Sequence, residues 1–150
     1  MTAKIGYLLP TREYIMRNIR ETKPLINLAK RADALGYHSV WVGDSLFARP
    51  RHEPLTFLSS LTGHIQNSLL GTAVLLPALR NPVLLAHQVA TLDRLSEGRL
   101  ILGVGIAADV PNVRKEFFAA GVSFEKRGAR MVESIQLCQA LWSGKTISWD

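Results

Sequence analysis

One cysteine, Cys138, stands in a chain of 150 residues, so an internal disulfide is excluded and a thiolate-held metal cluster within one chain is excluded with it. Lying on an apolar helical stripe, Cys138 reads as a small core residue. Aromatic side chains make up 7% of the sequence, and Trp41 and Trp142 sit in apolar contexts. Stacking rings interleaved with a basic strand surface are therefore missing, and no nucleic-acid partner is expected. Long hydrophobic runs are missing too. The opening stretch MTAKIGYLLPTREY holds one lysine and a short apolar run before Arg12, too brief for a secretory leader or a membrane span. The expectation is a cytoplasmic protein without membrane contact. Positive charge is in excess at +6, but it is scattered, and the densest cluster, around Arg127 and Arg130, falls on a helical pattern and reads as a solvated face.

What is present is apolar material for one core, 47% hydrophobic against 20% charged residues, in a repeating order. Strand-like runs recur at near-constant spacing: KIGYLLP from Lys4, HSVWVGD from His38, LLGTAVLLP from Leu69 and RLILGVG from Arg99. Helical patterns separate them. In the first, Leu25, Leu28, Ala29, Ala32 and Leu35 repeat on one stripe behind Pro24 and stop at Gly36. The second aligns Leu58, Leu61 and Ile65. The third has Asn81 as N-cap, Pro82 in the first turn, Leu85, Val89 and Leu92 inward, and Gly98 as its stop. The fourth aligns Met131, Ile135, Cys138 and Trp142 and ends at Gly144. Strands alternating with helices predict parallel βα repeats, because parallel neighbours require a crossover. Apolar runs this continuous predict a sheet covered on both faces. The class is α/β, either an open doubly wound sheet or about four units of a TIM-type (β/α)8 barrel, a half barrel.

The run RLILGVGIAADVP offers Gly103, Gly105 and Ala108 in the G-x-G-x-x-A spacing of a dinucleotide-binding turn, with Glu125 at the distance where a ribose-binding acid would stand. The helix that should receive the pyrophosphate starts late, near Pro111, and three βα units precede the motif where such a half would begin. Gly103 and Gly105 better suit a strand end that a ligand or a neighbour approaches closely.

The run RNPVLLAHQVATLDRLSEGRLILGVG, with LAKRADALGYHSVWVGD, SLLGTAVLLP and EFFAAGVSFEKRGARMVESIQLCQALWSG, closely resembles the bacterial luciferase-like flavin-dependent monooxygenases, some of which use coenzyme F420. The resemblance covers nearly the whole chain. It implies the amino-terminal half, residues 1–150, of a TIM-type barrel that binds FMN, or alternatively F420, at the carboxyl ends of its strands. Asp44 ends the second strand where relatives often show an acid followed by a ring-side histidine; here Ser45 follows, which can exchange hydrogen bonds but cannot carry a proton at neutral pH. Thr72, Ala73 and Val74 resemble the strand end that carries a non-prolyl cis peptide behind the flavin, so the Ala73–Val74 bond is expected to be cis. Asp44, Thr72, Ala73, Val74, Gly103 and Gly105 are the implied cofactor-binding residues. Where certain deazaflavin enzymes place an acidic glutamate, this sequence has Ala108, with Asp109 beside it as an acid or a helix cap.

The catalytic candidates are Asp44, Ser45, His52 and Asp109, and no metal site is expected. His52 and Glu53 lie in a loop on the implied active face, either lining a substrate entrance or merely polar. His38 and His87 read as structural, Trp41 as core, and Arg12 as a possible anion contact or a solvated side chain. The implied reaction is monooxygenation of a small apolar substrate by reduced FMN, supplied by a reductase, with oxygen; the alternative is hydride transfer with F420. The absent histidine and glutamate lean the expectation toward FMN. A half barrel leaves two sheet edges open, so a homo-oligomer or completion by a second half barrel is expected. A non-catalytic half-barrel subunit is the reading from another class.

Overall fold

The computed structural model describes residues 3–149. Four parallel strands, β1 (Gly6–Leu8), β2 (Ser39–Val42), β3 (Leu69–Thr72) and β4 (Leu100–Ile101), lie side by side in the order of the sequence. Each strand therefore pairs with its successor through a crossover helix. A doubly wound nucleotide-binding sheet would reverse direction at its first strand, and this order does not. Consecutive parallel order is that of half a β/α barrel, which sets the dinucleotide-turn reading aside.

The helices are α1 (Thr11–Met16), α2 (Lys23–Ala34), α3 (Pro54–Leu61), α4 (Pro82–Leu95), α5 (Pro111–Ala119) and α6 (Arg127–Trp142), with a 3-10 turn at Pro77–Leu79. Their punctuation follows local chemistry. The Asn81 side chain accepts hydrogen bonds from the Val83 and Leu84 amides, and Gly98 turns the chain out of α4 at φ +75°. Glu53 caps α3 by accepting the Thr56 amide hydrogen at 2.7 Å. Some boundaries fall inside the periodic stripes: Leu35 lies beyond α2 and is exposed, and Ile65 lies beyond α3 yet is wholly buried. The fourth stripe ends at Trp142, which is 42% exposed while its indole N–H donates to the Ala86 carbonyl.

Strand register divides the sheet. Tyr7, Val40, Leu70 and Leu100 are partners across the ladder, as are Leu8, Trp41, Gly71 and Ile101. The first row faces α2, α3 and α4, where Val40, Leu70, Leu25, Leu58, Leu61, Leu85 and Leu92 form the core. Among the described residues no helix covers the second row. Leu8 is 50% exposed there, and the Trp41 ring is only partly buried, stretched over Gly6 and Gly71, where an added Cβ would come within 2.3 Å of it. The expectation of two covered faces is thus corrected: the continuous apolar runs reflect two apolar faces, of which this chain covers one.

One further expectation changes. Arg127 and Arg130 are half-buried rather than a solvated face; the Arg127 guanidinium lies 3.8 Å from the centre of the Phe124 ring, and Arg130 donates to the Ala78 carbonyl at 2.8 Å. Cys138 is buried as expected, and burial pushes its thiol pKa up. Among the described residues no helix is long and apolar enough to cross a membrane.

Candidate functional site at the carboxyl ends of the strands

The loops after β2, β3 and β4 converge at one end of the sheet. The chain leaves β2 through Gly43, where an added Cβ would come within 2.9 Å of the Arg51 guanidinium, and reaches Asp44 and Ser45. The Asp44 side chain is 3% exposed; Oδ2 accepts the Leu76 amide at 2.9 Å and is ion-paired with Nη1 of Arg80. Arg80 also reaches Oε1 of Glu53 at 3.0 Å. Burial alone would lower the Arg80 pKa, but the two carboxylates outweigh it and the net direction is up. Burial would likewise raise Glu53, yet the Thr56 amide and Arg80 hold it below the usual range. Asp44, Arg80 and Glu53 thus form a brace tying the β2 loop to the β3 loop and to the start of α3.

After β3 the Ala73–Val74 peptide bond is cis, as the resemblance implied. Both residues are exposed on the open side of the sheet. The chain then rejoins the ladder, with Leu75 bridged to Val104, the Leu75 amide donating to Gly103 and the Gly105 amide donating to Leu75. Thr72 donates its hydroxyl to the Gly103 carbonyl at 2.8 Å. Both glycines are approached closely by a neighbour: a Cβ on Gly103 would stand 2.3 Å from the Thr72 carbonyl oxygen, and one on Gly105 would stand 2.6 Å from the Val74 side chain. It is the neighbouring strand end that requires them.

A cavity of about 230 Å³ opens at this end, lined by Asp44, Ser45, Arg51, Val74, Ala108 and Glu116 among others. Asp44, Ser45, Ala73 and Val74 are therefore brought together, with Gly103 and Gly105 behind them. Two candidates are not. His52 turns its ring onto Phe57 at 5.4 Å and has a buried, unpartnered Nδ1, but does not line the cavity. Asp109 does not cap α5, whose N-cap is Val110 without a side-chain bond; it is held in an exposed pair with Arg114 at 2.7 Å. Glu125 pairs with the same arginine.

Glu116 is the residue the sequence reading did not single out. It is fully buried, and its Oε1 accepts the Ser45 hydroxyl at 2.6 Å and the Phe47 and Ala48 amides at 2.7 and 2.6 Å. Its signal was periodicity: Val113, Glu116 and Phe117 fall at i, i+3 and i+4, so the acid occupies the inward face of α5 beside a buried phenylalanine. A larger groove of about 600 Å³ runs along the outer edge of β4, between α4 and the end of α6, lined by Val89, Leu100, Leu102, Leu141 and Trp142. It lies beside the edge strand, away from the loops just described.

A parallel half barrel whose strand-end loops enclose a cavity defines the class, a β/α-barrel fold of the kind whose enzymes place their sites at the carboxyl ends of the strands. Residues 3–150 match the model of the luciferase-like monooxygenase family, and the chain belongs to that family. It is 32% identical to an F420-dependent glucose-6-phosphate dehydrogenase of Mycolicibacterium fortuitum over 98% of this chain and 44% of that protein. A second F420-dependent glucose-6-phosphate dehydrogenase, from Amycolatopsis mediterranei, is 33% identical over 97% and 44%. Among solved structures, the monooxygenase RslO1 of Streptomyces bottropensis superposes with a TM-score of 0.83 at 28% identity, covering 99% of this chain and 45% of that one. The chain spans a little under half the length of each of these relatives.

Proposed function

We propose that this chain is the amino-terminal half of a flavin- or deazaflavin-dependent oxidoreductase, and that its cofactor is F420. The observation that carries the reading is the site itself: at the carboxyl end of the sheet, exposed Ala73 and Val74 offer an apolar platform beside a cavity whose polar rim is Asp44, Ser45 and Arg51. A planar ring system requires such a platform with a few polar groups at its edge. When bound, the deazaflavin supplies a two-electron hydride acceptor. Ala73, Val74 and Arg51 orient it, and the Asp44–Arg80–Glu53 brace keeps the loops in place. The curated relatives named above are F420-dependent dehydrogenases, and this moves the preference from FMN to F420. Substrate oxidation by hydride transfer follows as the reaction class.

A second reading, monooxygenation with reduced FMN and oxygen, is favoured by the match to RslO1 and by the family description. The two separate in one experiment, in which the purified protein is titrated with F420 and with FMN while fluorescence is followed. Tighter binding of F420 by tenfold or more supports hydride transfer, tighter FMN binding supports the monooxygenase, and binding of neither would sink both. The open sheet face and the groove along β4 support completion of the barrel by further strand–helix units or by a second half barrel.

A further inference from the structure

Resting on the hydride-transfer reading, we propose that Ser45 is the hydrogen-bond acceptor for the hydroxyl group of an alcohol or sugar substrate, and that Glu116 is the positioning residue that makes it one. A serine hydroxyl has one proton and two lone pairs. At Ser45 the proton is committed: it points to Glu116 Oε1 at 2.6 Å, and the carboxylate outcompetes any neutral acceptor for it. One lone pair is also committed, to the Arg49 amide hydrogen at 2.9 Å. One lone pair of Oγ is left without a partner, on a residue that lines the cavity. An incoming O–H is complementary to it, whereas a carbonyl oxygen in the same place would meet lone pair with lone pair. The site therefore favours the alcohol over its carbonyl product.

Glu116 is built for this orientation. Its carboxylate is wholly buried, no cation pairs with it within 4 Å among the described residues, and its second oxygen, Oε2, has no hydrogen-bond partner. All its bonds converge on Oε1 and all come from residues 45–48. The negative charge thus stands directly behind the Ser45 hydroxyl, raising electron density on Oγ, while the Phe47 and Ala48 amides fix the loop that carries it. Neither residue needs to exchange a proton for this role.

The test is a kinetic one with F420 as oxidant, a panel of glucose 6-phosphate and simple primary and secondary alcohols as probes, and the variants Ser45→Ala, Ser45→Thr and Glu116→Gln. Glu116→Gln keeps an oxygen for the loop amides and removes the charge. Amide hydrogen exchange at Phe47 and Ala48 reports whether the loop remains closed. Oxidation of at least one probe is expected, with KM raised about tenfold in Ser45→Ala, about threefold in Glu116→Gln with the loop closed, and restored in Ser45→Thr. An unchanged KM in Ser45→Ala would overturn the proposal. So would F420 binding without oxidation of any hydroxyl-bearing probe, which would leave the cofactor reading standing. Failure to bind F420 at all would overturn both.

Discussion

The two faces of the four-stranded sheet have similar apolar sequences and opposite surroundings. On one face Val40 and Leu70 are completely buried under α2, α3 and α4; on the other, one residue along each strand, Leu8 is half exposed and Trp41 lies across two glycines with no helix above it. A strand's residues alternate in direction, so the difference cannot come from composition. It comes from what the chain supplies to cover each face. The covered face makes the fold, and the loops at the carboxyl end of the sheet line the cavity proposed as the site.

The largest effect expected from breaking this asymmetry is on the covered face. Leu58→Ala empties a fully buried position and should cost about 3 kcal/mol in chemical denaturation, whereas Leu8→Ala in this chain alone should cost under about 0.5 kcal/mol. The comparison sharpens if the barrel is completed, because Leu8→Ala should then approach the cost of Leu58→Ala. A small cost in both settings would show that the open face stays uncovered.

A slightly smaller effect lies at the strand ends. Asp44→Asn leaves Arg80 with one carboxylate, Glu53, in place of two. The substitution should cost about 2–3 kcal/mol and loosen the tie between the loops after β2 and β3, read as faster amide exchange at Leu76. Unaltered exchange would show that the brace does not hold the site's loops.

The smallest effect is at the opposite end of the strands, where Asp33 at the end of α2 accepts the amides of Gln66, Asn67 and Ser68. Burial opposes the charge, but these donors prevail and its pKa is lowered. A carboxyl depressed on folding contributes stability above its unfolded pKa near 4, and that contribution is lost as pH falls through the folded value. Asp33→Asn should cost about 1 kcal/mol at neutral pH and flatten the acid limb of the stability curve. An acid limb identical to that of the parent would remove Asp33 from the account.

The fold was legible because its signals are local. Asn81, Pro82 and Gly98 punctuate α4 through bonds within a few residues, and the four apolar runs needed only spacing to be read as parallel repeats. The site was legible only in part. Asp44, Ser45, Ala73 and Val74 were accessible through family resemblance, whereas the partner of Ser45 stands 71 residues further on, and nothing in a linear motif links them. The helix-cap reading of Asp109 failed for a related reason: its nearest attractive force is not the helix end but Arg114, one turn into α5. Side chains whose role is set across loops escape periodicity; those whose role is set within a turn do not.

The central claim is that the open, carboxyl end of this sheet seats a deazaflavin against Ala73 and Val74. It is tested most directly by titrating the protein and its Val74→Asp variant with F420, since Val74 is 42% exposed and tolerates a polar side chain without loss of core. Micromolar binding that weakens at least tenfold in Val74→Asp, with thermal stability unchanged, is the predicted result. Equal binding by the two proteins would place the cofactor elsewhere and contradict the account.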